Sequence, residues 1–455
     1  MLVLLDDVLE EALKSMDKVG VEGEFYGLST RSVRVEVSRG RVSRVLAREH
    51  VSYGVRVDAG GGRVASIDSG EARVDKVHGL VEKAYEIARY REPIPGWRGF
   101  SRGYGVRVNP RIFDRRLNSL SQEDAVSILN NIVDTCTNAA AEAGAEKSII
   151  TGGSLNAYST RILVGNSSGE SIDCMVTVFT VNLQVKSIVG GLESSYIMSF
   201  SSRMLDEDQV LEKASESGEL SVRFKSPAVV GGGSYKIVLM PRVIGYLAST
   251  ALAPAFSALN IQENRSPLKG RVGERILSGD IDVIDDPWID WRIGSRGFDD
   301  EGIATRRKLV VEKGVFKQPI YDYYTACRDG VESTGNGFRS SPSSQPTPSF
   351  TNLILRVGGE SFSLDEIESL GGSYIILYDV IGYWMSNPVN GDVQATATHA
   401  LMVSGGNVKP VKGFVVRGNI YEVLGVGIEG SSKEYVIEGS IEAPAVMVSC
   451  LKISG

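Results

Sequence analysis

Apolar residues at the start of the chain repeat at the spacing of one helical face and then change to strict alternation. The helical set precedes Gly20, a helix stop, and comprises Leu5, Val8, Leu9, Ala12, Leu13 and Met16. Over 33–37 and 51–57, apolar residues occupy every second position on either side of an Arg39-Gly40 turn, which predicts a β-meander. Because such alternation gives one packed and one solvated face, we expect helices to cover one side of this sheet.

The pattern then returns to helix twice before a second run of strands. Residues 72–90 have mixed helical character, and Ser121 with Asp124 three residues later predicts a capped helix whose apolar stripe extends to Cys136. Residues 146–189 are typical of strands, and a charged helix is expected near 206–216. Gly218 and the glycines at 231–233 follow, so we place a domain boundary at about 220, giving domains 1–220 and 221–455.

The second half contains short strand patterns separated by turn signals, which predicts a sheet-rich or barrel-like domain. Its clearest helix begins at Pro241 and extends to residue 259, with Tyr246, Ser249, Thr250 and Ala253 on the polar side. Pro254 should bend or break this helix. The fold class predicted for the whole chain is α+β, an N-terminal sheet covered by helices followed by a sheet-rich domain.

Composition restricts the cellular compartments and the classes of binding partner that fit this chain. With 455 residues, 42% hydrophobic and 23% charged, the chain is long enough for two ordinary globular domains. A net charge of −7 without a basic block makes nucleic acid a poor partner. Four scattered cysteines fit a reducing compartment, and the N-terminus lacks the regions of a signal peptide. The uncharged stretch 243–261 contains serine, proline and asparagine, so we predict a buried helix rather than a membrane span. Together these features predict a cytoplasmic protein that does not interact with membranes.

Histidines offer no local zinc motif. His50, His78 and His399 are far apart in sequence, so no helix places two imidazoles on one face. We interpret each as a surface or packing residue.

Acidic residues cluster at 280–286 and 299–301, and two interpretations remain open. Such carboxylates can hold a divalent ion or divide acid and base roles, or they can cap turns and pair with Arg306 or Arg307. The glycine-rich loop 333–339 lacks a phosphate-loop motif; Asn336 and Arg339 in it could bind a peptide carbonyl, although a tight turn also explains its glycines. No Gly-x-Ser-x-Gly elbow of a serine hydrolase occurs.

Several short motifs of the second half carry a family resemblance through their order and spacing. They are Phe298-Asp299-Asp300-Glu301-Gly302, Thr305-Arg306, Gly314-Val315, Ser333-Thr334-Gly335-Asn336-Gly337, Thr351-Asn352 and Asn390-Gly391-Asp392. Together with Gly54-Val55-Arg56-Val57 and the ending from Glu442, they resemble the TldD/TldE family, also called PmbA or modulator of DNA gyrase.

The resemblance implies a substituted metal site. TldD-type members carry His-Glu-x-x-x-His on a helix and a later cysteine as zinc ligands. Counting back from the similar Gly270–Glu274 segment places these positions on Ser249, Thr250 and Pro254, which cannot replace the histidines and glutamate. No cysteine occurs near 430–432, and Cys450 lies too late. This pattern is that of the TldE/PmbA branch.

The branch implies a non-catalytic subunit that pairs with a TldD-type zinc metallopeptidase and encloses a chamber for proteolysis of unfolded or short peptides. We then expect no cofactor in this chain and zinc in the partner. The candidate peptide-facing residues are Asp299, Asp300, Glu301, Arg306, Asn336, Arg339, Asn352, Asn390 and Asp392.

Two other functions remain as alternatives. One is a self-sufficient hydrolase that uses the 280–301 carboxylates with a divalent metal. The other is a homodimeric binding or scaffold protein, since the isolated chain could pair with itself.

Overall fold

The computed structural model describes residues 2–71 and 73–454, with side chains from residue 5 onward. Met1, Ala72 and Gly455, which belong to the predicted domain and helix ranges, lie outside the described residues. The α-helices are α1 Leu2–Val19, α2 Val74–Ala88, α3 Arg115–Asn118, α4 Gln122–Glu142, α5 Glu207–Ser221, α6 Pro241–Leu247, α7 Ala258–Gln262, α8 Tyr323–Asp329 and α9 Ile420–Val423. A π-helical turn spans Ala248–Leu252, and 3₁₀ turns span Ala253–Phe256, Leu364–Glu366 and Tyr383–Met385.

Long antiparallel strands form the first sheet, in the order β3-β2-β1-β4-β5-β6. They are β1 Glu22–Ser38, β2 Arg41–Asp58, β3 Val64–Ser69, β4 Lys147–Asn166, β5 Ser171–Val189 and β6 Leu192–Ser202. The predicted meander is confirmed, because β1 and β2 pair along their length around the Arg39-Gly40 turn. The predicted helices are also confirmed: Ser121 caps α4 by accepting the Asp124 N–H at 3.0 Å, and α1 ends at Gly20, whose φ is 76°.

Helices cover one face of this sheet, as expected from the alternation. Apolar side chains at odd positions of β1 pack against α1 and α2 at one end and against α4 and α5 at the other. The expectation of a solvated opposite face is wrong at one end. There Tyr26, Ile162, Val164 and Val176 are buried, in a cluster that includes Phe298 from the second half. The other face of the sheet is therefore a contact surface between the halves.

The second half is built on a large mixed sheet, which confirms the sheet-rich prediction and the α+β class. Its main path in the described residues is β11-β10-β9-β14-β21-β8-β16-β17-β19-β22-β7, with β15, β18 and β20 attached beside it. The strands are β7 Gly233–Ser234, β8 Ile237–Leu239, β9 Ile281–Asp285, β10 Lys308–Glu312, β11 Val315–Phe316, β14 Leu353–Val357, β15 Glu360–Phe362, β16 Ser373–Ile381, β17 Asp392–Ser404, β18 Asn407–Val411, β19 Val415–Asn419, β20 Ile428–Glu438, β21 Ile441–Val448 and β22 Lys452–Ser454. A separate ribbon pairs β12 Gly337–Phe338 with β13 Thr347–Pro348.

The helix predicted to extend from Pro241 to residue 259 is not one regular α-helix but a succession of helical turns of different types. It passes from α6 through the π-helical turn to the 3₁₀ turn that contains Pro254, and Ser257 then adopts an extended conformation. The predicted break at Pro254 is confirmed. The predicted sides are also confirmed, since Ala248 and Ala251 are buried whereas Ser249 is exposed. Among the described helices, none combines the length and apolar character needed to cross a membrane.

Gly218 does not end the charged helix, which continues as α5 to Ser221. A Cβ on Gly218 would lie 2.2 Å from the Cys136 carbonyl oxygen and 3.0 Å from the Ala139 side chain, both on α4. The residue is therefore a close-packing glycine between two helices, where sequence pattern alone suggested a stop.

Two glycines inside helices should respond oppositely to alanine substitution. Gly79→Ala in α2 should raise the free energy of unfolding by about 0.5–1 kcal/mol, because the site is open and alanine has the higher helix propensity. Gly218→Ala should lower it by about 1–3 kcal/mol, because α4 and α5 must separate. Urea unfolding of the two variants provides the measurement, and the same sign for both would contradict this interpretation.

His399 on β17 is a packing residue, as the sequence analysis predicted. Its ring lies edge-on to Tyr196, at 5.4 Å between ring centroids, and to Phe224, at 4.9 Å. Burial lowers the pKa of His399 to about 4, and the charges of Arg242 and Lys412 act in the same direction.

This histidine should make the protein sensitive to acid. Between pH 6.5 and 4 the unfolded chain binds a proton that the folded chain does not, so stability present above pH 6.5 is lost as the pH falls. The loss approaches about 3 kcal/mol at the lower limit. Urea unfolding from pH 7.5 to 4 measures this loss. The free energy of unfolding should fall more steeply with decreasing pH in wild type than in His399→Gln. Parallel pH curves for the two proteins would contradict the prediction.

Candidate functional site

Ser249 and Pro254, two of the positions that the resemblance aligns with zinc ligands, line one surface cleft of about 430 Å³. In a regular α-helix, residues five apart point about 140° away from each other. Both nevertheless line the same cleft, where the chain passes from the π-helical turn into the 3₁₀ turn that contains Pro254. Residues 347–350 form the opposite wall of the cleft.

Side chains at the three positions do not suit a zinc ion. Ser249 Oγ and Thr250 Oγ1 both donate to the Tyr246 carbonyl oxygen, at 2.9 and 2.8 Å, and Pro254 has no side-chain donor atom. Zinc sites use imidazole, thiolate or carboxylate ligands. Throughout residues 2–71 and 73–454, no three His, Cys, Asp or Glu side chains converge as a metal site.

A buried polar cluster centred on Lys308 lies next to residues 347–350. Its ammonium donates to Asp285 and to Asn336 Oδ1, both at 2.7 Å, in a site where all three side chains are buried. Asn336 Nδ2 donates to Asp285 at 2.7 Å and to the Ser349 carbonyl at 2.8 Å, while Asp285 accepts the Thr351 N–H at 2.7 Å. Burial lowers the pKa of Lys308. We call these residues the lysine cluster; it ties the cleft wall to β9 and β10.

Asp299 joins two of the family motifs. Its carboxylate accepts the N–H groups of Glu301 and Ile303, both at 3.0 Å, and that of Gly337 at 2.9 Å. Burial raises the pKa of Asp299 to about 7 despite these donors. Gly337 must lack a side chain, because a Cβ there would lie 2.2 Å from Glu301 Oε2.

Asp300 and Arg339 connect the motif loop to the first sheet. Asp300 accepts from Tyr26 Oη at 3.1 Å, from Arg296 at 2.6 Å and from the Arg339 N–H at 2.9 Å. The Arg339 guanidinium pairs with Glu24 on β1.

Glu24 also pairs with Arg56, its cross-strand neighbour on β2. Burial acts to raise the pKa of Glu24, but Arg339 and Arg56 outweigh it and lower the pKa. The residues Glu24, Tyr26, Arg56, Arg296, Asp300 and Arg339 form what we call the inter-half network.

Glu301 lies beside that network and accepts the Tyr323 N–H at 2.7 Å. Burial raises its pKa well above the usual range, and the neighbouring Asp322 and Asp299 add to the effect. Asp322 caps α8 through the Thr325 N–H, while its Oδ2 is buried without a hydrogen-bond partner; burial raises its pKa as well. The surroundings of these two carboxyl groups thus favour their protonated, neutral forms.

The remaining candidate residues have other contacts. Arg306 is half-buried, and burial lowers its pKa. Asn352 is buried and bonds Gly294, Asp286 and Ser295. Asn390 and Asp392 are exposed and bond each other in the turn before β17.

Pairing explains the acids of 280–301 better than a metal does. Asp286 pairs with Arg307 at 3.0 Å, as the pairing interpretation predicted, and Asp282 accepts the Lys313 N–H at 2.6 Å. The peptide-facing role of the nine candidate residues stays a prediction; in the structure Asp299, Asn336 and Asn352 are fully buried.

Sequence reasoning missed the partners of these motifs. Lys308 opens an apolar strand and gives no sign of burial, and Glu24 and Arg56 belong to an alternating strand pattern that suggests solvent. The available signal was their place opposite each other in a meander, which predicts a cross-strand pair but not its burial.

Comparison with known proteins decides the family of the second half. The model of the PmbA/TldA metallopeptidase C-terminal domain matches residues 232–455. These residues belong to the PmbA/TldD family. The resemblance seen in the motifs is thereby confirmed, whereas assignment to the TldE branch stays a prediction.

Relatives match parts of the chain. An uncharacterised protein of Methanocaldococcus jannaschii is 33% identical over 62% of this chain and 64% of its own length. A metalloprotease of Methanothermobacter thermautotrophicus is 31% identical over 49% of this chain and 48% of its own. The matched region thus spans 64% of the first relative's length and 48% of the second's.

A solved structure shares the whole fold. TldE from Thermococcus kodakarensis superposes with a TM-score of 0.85 over 99% of this chain and 100% of that chain, at 24% identity. The shared fold therefore includes the first sheet as well as residues 232–455.

Proposed function

We propose that this chain is a non-catalytic, TldE/PmbA-like subunit that pairs with a TldD-type zinc metallopeptidase, and that the pair cleaves unfolded or short peptides. The observation that carries the proposal is the cleft at Ser249 and Pro254. The resemblance aligns its residues with the family's zinc ligands, and the hydroxyls of Ser249 and Thr250 there donate to the Tyr246 carbonyl oxygen.

An exposed aromatic surface beside the same helix supports pairing with another subunit. Tyr246 stacks on Tyr383 with 4.2 Å between ring centroids, and Tyr383 meets Trp384 edge-on at 5.2 Å. Trp384 is 62% exposed and Met385 66% exposed. Exposed clusters of large apolar residues mark interaction sites. We call these four residues the aromatic patch and assign it to the TldD-type partner.

The alternative of a self-sufficient metal hydrolase has no supporting observation. Asp285, Asp286, Asp299 and Asp300 each accept hydrogen bonds from protein donors, which leaves little room for metal coordination.

The test measures zinc content and peptide cleavage for the purified chain, a TldD-type subunit and their mixture. The substrate is an unstructured fluorogenic peptide. We expect neither zinc nor cleavage with this chain alone, and faster cleavage in the mixture than with the partner alone. Stoichiometric zinc together with cleavage by this chain alone would overturn the proposal.

A surface variant tests the pairing separately. Trp384→Glu should weaken complex formation by at least tenfold in sedimentation velocity, because it buries a charge in an apolar contact. Tyr90→Glu, at an 84% exposed residue after α2, is the matched control and should leave assembly unchanged. Equal loss in both variants would argue against the aromatic patch.

A further inference from the structure

The outer edge of β6 presents unpaired main-chain groups. Val189 and Leu192 close the two-residue turn between β5 and β6, so they form a hydrogen-bonded pair. Even-numbered residues of β6 therefore bond to β5, and odd-numbered residues direct their N–H and C=O groups outward. Two contacts agree with this parity: Arg242 donates to the Ile197 carbonyl at 3.0 Å, and the Arg203 N–H donates to the Trp291 carbonyl at 3.1 Å.

Between these two occupied positions lie Ser199 and Ser201. Among the described residues, none donates to or accepts from the main-chain groups of this pair. Four hydrogen-bonding groups therefore remain free in a row, enough for two residues of an added antiparallel strand. Native proteins usually block such an edge with lysine, proline or a bulge, and Ser199–Ser201 has none of these.

A groove runs along this edge. It has a volume of about 760 Å³, within the range of ligand pockets, and lies between β6, α5 and residues 435–439 at the end of β20. Trp291 lies at the groove with a φ of 63°, a conformation that is rare for a bulky residue and that recurs at functional sites. Small serine side chains on β6 leave space for another main chain to approach.

Charge favours a basic occupant. The lining contains five acidic and two basic side chains, so its formal charge is −3. They are Asp206, Glu212, Glu216, Asp290 and Glu438 against Lys213 and Arg292. Glu212 is exposed on α5 with no ion pair among the described residues.

We propose that this groove binds an extended basic peptide segment, which adds as a strand to the Ser199–Ser201 edge of β6. Main-chain hydrogen bonds would supply affinity with little dependence on sequence, and the acidic walls would select lysine or arginine on the flanks. The groove shares no lining residue with the cleft at Ser249, so the proposal stands without the proposed function.

The test uses a fluorescein-labelled hexapeptide of alternating lysine and valine, followed by fluorescence anisotropy at low salt with the full chain. Wild type should bind it. A version N-methylated at alternate residues should lose at least tenfold in affinity, because it lacks strand hydrogen bonds. Absence of binding to wild type, or equal binding of the methylated peptide, would overturn the proposal.

Two substitutions locate the site. Ser201→Pro removes an outward N–H without touching the β5–β6 ladder and should weaken binding about tenfold, whereas Ser201→Ala, the matched control, should not. If circular dichroism shows that Ser201→Pro does not fold, Glu212→Lys replaces it and should weaken binding of the lysine peptide while strengthening that of a glutamate–valine peptide. Unchanged affinities in the folded variant would refute the location.

Discussion

Glu24→Ala is expected to lower the free energy of unfolding by about 3–5 kcal/mol, because it leaves two buried guanidinium groups without their shared counter-ion. Glu24 is 2% exposed, and both Arg56 and Arg339 direct a guanidinium N–H at the same carboxylate oxygen. Asp300 still accepts the Arg339 N–H and Arg56 still lies over the Trp97 ring, but neither replaces a full negative charge at this position.

Urea unfolding at pH 7.5 measures this loss. Glu207→Ala is the matched control, since Glu207 pairs with Arg116 where both side chains are largely exposed, and it should change stability by less than about 1 kcal/mol. Glu24→Gln should fall between the two, because the amide keeps one acceptor and loses the charge. Similar values for Glu24→Ala and Glu207→Ala would show that the inter-half network contributes little.

Lys308→Met should have a comparable effect, about 3–5 kcal/mol, because Asp285 would remain buried without a cation. Methionine keeps most of the length of the lysine side chain, so the loss reports charge and hydrogen bonding rather than volume. Asn336 also loses one of its donors, and the link from Asn336 to the Ser349 carbonyl weakens. The 347–350 wall of the cleft should therefore become more mobile.

A double-mutant cycle separates the pair from the rest of the lysine cluster. Lys308→Met with Asp285→Asn removes both charges and should recover at least half of the loss of Lys308→Met alone. Hydrogen exchange at residues 347–351 provides a second measurement and should speed up in the single variant. Additive losses in the double variant would contradict a direct charge pair.

Hydrophobic periodicity and capping residues predicted the helices and strands correctly where a single local preference determined the structure. The periodicity before Gly20, the serine cap of α4 and the alternation of β1 and β2 each correspond to an element in the structure. At Gly218 two rules competed. Glycine is typical of a helix end, but here the approach of α4 requires a residue without a side chain, and no property of the local sequence reports that contact.

The sequence identified the candidate residues but not their burial. The family motifs around Asp299 and Asn336 fall in loops, where polar residues usually suggest a binding surface. Asp299 bonds Gly337, 38 residues away, and Asn336 bonds Asp285, 51 residues away, while Glu24 comes from the first sheet. Only the folded chain brings these partners together. Burial of a charge depends on such distant partners, so sequence pattern identifies the residues without revealing that they hold the loops to each other.

The position of Glu24 also bears on how the molecule loses its structure. Its two arginine partners belong to different halves, and Tyr26 on the same strand bonds Asp300 across the same boundary. A cut near residue 220 would thus separate Glu24 from Arg339, one of its two buried counter-ions. The first sheet thus supplies a charge that the second half needs to remain folded. We therefore expect a single cooperative melting transition rather than two.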